Sequence, residues 1–100
     1  MKNSKPAKSQ NRPVVVTTLY QGVFYGLGPV SDAPTIRLIN ARMVVYWSAN
    51  VKGVLGLAST GPLNGCKVGP IVPAIMLRDV TSVMECSEQA ARAWESASWS

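Results

Sequence analysis

Eight glycines and seven prolines divide this 100-residue chain into short segments, and that punctuation limits the fold more than any other feature. The longest apolar stretch, "VGPIVPAIML", is ten residues long and holds two prolines. Proline breaks a helix and removes a sheet donor, so neither a long core helix nor a membrane span fits there. What remains is a series of short β-rich runs. "PVVVTT" (13–18) and "VFYGLG" (23–28) are joined by "LYQG", in which Gly22 supplies the positive φ of a tight hairpin. "GPVSDAP" (28–34) reads as a loop from its Gly, Pro and Asp content.

The next run, "TIRLINARMVVYWS" (35–48), alternates as a strand does, but its phase slips. Ile36 and Leu38 share one face, whereas Met43, Val45 and Trp47 have the opposite parity. A bulge or a turn at "NAR" explains the slip, with Asn40 tolerating a left-handed backbone and Met43, Val45 and Trp47 returned to the core. "AIMLRDVTSVMEC" (74–86) slips in the same way near Asp79 and reads as one strand or a broken pair. "VKGVLGLAST" (51–60) reads as a further strand, bent at Gly53 and Gly56.

One helix is predicted, over about 87–98. Ser87 is a good N-cap and Glu88 places negative charge in the first turn. Ala90, Ala93, Trp94 and Ala97 form an apolar stripe, with Glu88 and Arg92 paired at i, i+4 on its flank. Trp94 is the expected core anchor. The fold expected is therefore mainly β, with residues 13–100 as a single domain. It is a small SH3-like or Sm-like antiparallel barrel, or a strongly curled sheet, with one C-terminal α-helix. Its bends fall at Gly22, Asn40, Gly56 and Asp79.

The net charge of +5 is unevenly placed. Residues 1–12 hold Lys2, Lys5, Lys8 and Arg12 with no acid, which leaves six basic and five acidic residues in the rest of the chain. A segment so rich in Lys, Ser, Asn and Gln buries no core, so a flexible basic arm is expected: a solvating leader in the first reading, with nucleic acid or an acidic partner surface as the alternative contact, nucleic acid through that arm only. Charged residues make up 15% of the chain, against roughly 25% in ordinary soluble domains. Such a low content suits a surface partly covered in an assembly, and a homo-oligomer is expected.

The chain has no histidine, and Cys66 and Cys86 are its only cysteines. That excludes Ser–His and Cys–His nucleophiles and argues against a metal site or disulfide framework. No cofactor motif is present. "GPLNGCKV" falls short of a Walker loop, because Cys66 intervenes before Lys67, no Ser or Thr follows it, and Pro70 and Pro73 forbid the required helix. The weaker possibility is an anion held by the amides of Gly61, Gly65 and Gly69 beside Lys67. Lys67 also favours the thiolate of Cys66, but no base accompanies it. Asp79 and Glu85 lie ~20 Å apart along an unbent strand, too far for a shared acid–base site. Arg42 and Tyr46 share parity and offer a cation and an aromatic on one side.

The blocks "GVFYG", "INARMVVYWS", "GVLGLASTGPLNGCKVGP", "LRDVTSVMEC" and "WESASW" together resemble a family of small uncharacterised proteins of tailed phages and prophages. The resemblance implies a phage origin and a location in the host cytoplasm or the virion. It carries over no catalytic residue. The expected protein is thus a non-enzymatic phage accessory protein that binds a host or phage protein in the host cytoplasm, without membrane association. It is also expected to accept an anionic small molecule. The alternative is a multi-copy structural component of the virion whose basic arm contacts neighbours or DNA. Arg42, Tyr46, Gly61, Gly65, Cys66, Lys67 and Gly69 are the candidate binding residues.

Overall fold

The computed structural model describes residues 12–19, 22–47, 53–62 and 66–97. Its strands are β1 (Arg12–Thr18), β2 (Val23–Gly28), β3 (Ile36–Tyr46), β4 (Lys67–Val68), β5 (Val72–Leu77) and β6 (Val80–Glu85). Two short helices, α1 (Val54–Ser59) and α2 (Glu88–Ser96), follow β3 and β6. All pairings are antiparallel, in the order β4-β3-β2-β1-β6, and β5 also lies along β3, on the side away from β2.

Val14, Val15 and Val16 explain the layering. All three are fully buried, which requires cover on both faces of β1. Val15 joins Val23, Tyr25 and Val44 beneath Leu57 of α1 and Ala90 and Trp94 of α2. Val14 and Val16 join Phe24, Ile36, Leu38, Ala41 and Leu77 on the other face, to which neither described helix contributes. That second core exists because the sheet curls around its own apolar face. Gly28 permits the curl, since a Cβ there would lie 2.7 Å from Leu38 Cδ2.

The curl does not close into a barrel. β5 and β6 are separated only by Arg78 and Asp79, yet β5 pairs with β3 and β6 with β1. Asp79, at φ 57°, makes the corner, and the carbonyls of Asp79 and Pro34 accept from Leu19 N and Val80 N, each at 3.0 Å. The corner sends β6 across to the opposite edge rather than back along β5, so of the two forms expected the SH3-like or Sm-like barrel is not found and the sheet stays open and curled.

The segment expected as a strand over 51–60 instead contains α1, so the described residues hold two helices rather than one. Tertiary contacts override its β-branched and glycine content: Leu57 and Ala58 are buried in the helix-side core. The last carbonyls of a helix lack internal partners. Here Leu57 O accepts from Trp94 Nε1 at 3.0 Å, Ala58 O from Ser87 N at 3.0 Å, and Ser59 O from Ser87 Oγ at 2.6 Å. Ser87 Oγ in turn accepts from Ala90 N at 3.0 Å, the N-cap expected for α2.

The hairpin turns at Gly22, φ 111°, as expected. Arg12, counted with the basic arm, is the first residue of β1 and meets Glu85 at 2.7 Å. Both side chains are about half exposed, and such a pair contributes at most ~1 kcal/mol. Lys2, Lys5 and Lys8 lie outside the described residues.

Candidate functional site

Asn40 adopts φ 52° and shifts the β2–β3 register between the pairs Leu27–Ile39 and Tyr25–Arg42. The expected bulge is therefore present, but its consequence for burial differs from the expectation. After it, Arg42 and Val44 turn towards the helices, while Met43 and Val45 are 39% and 63% exposed. A second irregularity between Val44 and Tyr46 brings Trp47 back against the helix-side core. Hydrophobicity alone favours Met43 and Val45 for the interior. The backbone face, set by Asn40, overrides it.

Arg42 is only 3% exposed. Its Nε donates to Gly69 O at 2.9 Å, and Nη1 donates to Trp94 O and Ala97 O at 2.7 Å each. The guanidinium thus closes the C-terminal end of α2, where the helix dipole is negative. Burial pulls its pKa below the ordinary value. Tyr46 is 56% exposed and lies opposite Lys67 on β4, so Arg42 and Tyr46 do not form one surface.

The glycine-rich turns serve the backbone. Gly61 is at φ 81°, and a Cβ there would lie 2.7 Å from Ala93 Cβ and 2.9 Å from Ala90 O. It is the point of closest approach to α2. Its N–H donates to Gly56 O at 3.2 Å, and that of Gly69 donates to Met43 O at 2.8 Å. Both amides proposed for an anion are therefore engaged, and Gly65 lies outside the described residues. Lys67 is exposed. Cys66 is partly buried against the helix-side core, and neither Cys66 nor Cys86 is in a disulfide. Burial pushes the Cys86 thiol up to about 12.

Two features emerge that sequence reasoning missed. On the curled face, Phe24, Ala41, Met43, Val45, Val72 and Ile75 line an open groove of about 330 Å³. On the helix side, Tyr25 stacks on Trp94 with centroids 5.2 Å apart and rings 6° from parallel, and its hydroxyl donates to Glu95 Oε2 at 2.9 Å. Burial first, and then Glu95, raise the Tyr25 pKa. Tyr25 and Glu95 are 70 residues apart, so no local pattern signals the pair. Among the described residues no three His, Cys, Asp or Glu side chains are grouped to hold a metal ion, and no helix is long and apolar enough to cross a membrane.

A family model described as a domain of unknown function, DUF6948, matches residues 11–94. The chain belongs to the DUF6948 family. The match runs from the residue before β1 almost to the end of α2, so the six described strands, α1 and most of α2 lie within the DUF6948 unit. No curated protein and no solved structure matches the chain.

Proposed function

We propose that this DUF6948 chain is a non-enzymatic accessory protein of a tailed phage or prophage that works by binding a host or phage protein in the host cytoplasm. The partner docks on the curled face of the sheet. One observation carries this reading. Met43, Val45 and Val72 are exposed together around an apolar groove, where a domain with so few charged residues gains nothing in solubility from leaving them bare. The phage setting rests on the motif blocks quoted above. The occupant is a protein segment that lays aliphatic or aromatic side chains into the groove over β2, β3 and β5, as is usual where a few buried anchors dominate an interface.

The test is affinity purification of the tagged full chain from infected cells, beside Val45→Glu. Val45 projects into solvent, so Glu at that position leaves stability within about 0.5 kcal/mol, checked by thermal melting. The expected result is one protein recovered in fixed stoichiometry with the parent chain and lost with Val45→Glu. Equal recovery of that protein with both chains refutes the groove as its site. Recovery only within phage particles makes the protein a virion component, and a mass that is a multiple of 10.7 kDa makes the groove a self-interface.

A further inference from the structure

We propose that the cavity between β2, β3 and the C-terminal end of α2 binds a small zwitterion, of the class of aliphatic α-amino acids. The cavity opens beside α2 and shares Arg42 with the lining of the apolar groove, but the inference does not depend on the partner proposed there. It measures about 310 Å³ and is lined by Tyr25, Leu27, Asn40, Arg42, Ile71 and Glu95. That volume is at the small end of ligand sites, which range over roughly 300–1,000 Å³.

A guanidinium carries five N–H groups. Those on Nε and Nη1 of Arg42 are taken up by the Gly69, Trp94 and Ala97 carbonyls. The two on Nη2 have no acceptor among the described residues. A buried donor left in this state is costly, and a cation's donor more so. Glu95 lines the same cavity yet does not pair with Arg42. Its Oε2 accepts from Tyr25, and its other oxygen is uncommitted among the described residues. At the mouth of one small cavity a buried cation with spare donors thus lies beside a solvent-exposed carboxylate with spare lone pairs, not bonded to each other.

The charges select the ligand. A simple anion at Arg42 is opposed by Glu95 and by the negative end of the α2 dipole. A simple cation at Glu95 is opposed by Arg42. A molecule carrying both signs meets neither objection: its carboxylate takes the Nη2 donors, and its ammonium takes the free oxygen of Glu95. Leu27 and Ile71 give an apolar wall for its side chain, and the amide of Asn40 offers a further polar contact.

The experiment titrates the ¹⁵N-labelled full chain with L-leucine, with leucinamide (no carboxylate) and with 4-methylpentanoate (no ammonium). Saturable shifts of the Trp94 indole and Arg42 Nε resonances are expected with leucine, at about tenfold lower concentration than with either single-charge probe. Glu95→Gln keeps an acceptor for Tyr25 and hence the fold, but binds leucine about tenfold more weakly and no longer distinguishes it from 4-methylpentanoate. The proposal is overturned if leucine at about 50 mM gives no saturable shift, since so small a ligand held at both charges is expected to bind near ~1 mM. It is equally overturned if the three probes bind alike, or if Glu95→Gln binds leucine as the parent does.

Discussion

Replacing Arg42 by Met tests the connection between β3 and α2. The guanidinium is 3% exposed and donates three hydrogen bonds, to carbonyls at positions 69, 94 and 97. Met preserves much of the volume but donates nothing. Three charge-assisted bonds at roughly 1.5–3 kcal/mol each set an upper limit near 9 kcal/mol. Two terms reduce it: the buried cation's desolvation is relieved, and the helix-end carbonyls recover some water. What remains is neutral carbonyls rather than an unpaired charge, so a loss of about 3–5 kcal/mol, roughly half the upper limit, is expected. A domain of this size has roughly 5–15 kcal/mol in total, so the variant stays folded in water but melts early. Urea unfolding followed by far-ultraviolet circular dichroism reads it. With a slope near 1.5 kcal/mol per molar, the midpoint falls by about 2–3 M. Arg42→Lys keeps the charge but reaches fewer of the three acceptors, and should fall between parent and Met. If Met lies within about 1 kcal/mol of the parent, relief of desolvation outweighs the lost bonds and the reasoning is wrong.

Two further outcomes follow from the geometry. Gly61→Ala combines a left-handed backbone with a Cβ 2.9 Å from Ala90 O, and is expected to lose about 2–4 kcal/mol in the same urea assay. Cys86 sets a pH dependence: its folded pKa is raised from 9.0 to about 12, so the folded state holds its proton more tightly than the unfolded one. That stabilisation is complete below pH 9.0 and drains away as pH rises towards about 12. Tyr25, also raised, steepens the decline at the alkaline end. Unfolding free energies measured from pH 7 to 11 should be flat and then fall, and Cys86→Ala should flatten the early part of the fall.

The local parts of this fold were legible in the chain. Gly22 marks its hairpin, Ser87 its cap, and the Ala and Trp spacing its helix, because each depends on neighbours within a turn or two. The phase slips likewise located Asn40 and Asp79, the two left-handed residues other than glycine among those described. Which parity was buried after Asn40 was not legible. Arg42 is taken inside by acceptors 27 to 55 positions away, and no window of sequence around residue 42 contains them. The α1 segment misled for a related reason. Six residues are too few to show a helical period, and what holds them is Ser87 and Trp94. The two cavities depend on such long-range placements, so neither left a pattern to read.

The corner at Arg78 and Asp79 has a mechanical consequence. Two residues tie the strand beside β3 to the strand beside β1, so the margins of the sheet are joined like the ends of a belt held by a short strap. An ordinary open sheet frays independently at each margin. Here, displacing one margin by more than the slack of two residues loads the other, and β5 and β6 are expected to open as one unit despite sharing no hydrogen-bonded pair. A single peptide-bond cleavage at this exposed corner would sever that strap while leaving every ladder of the sheet in place.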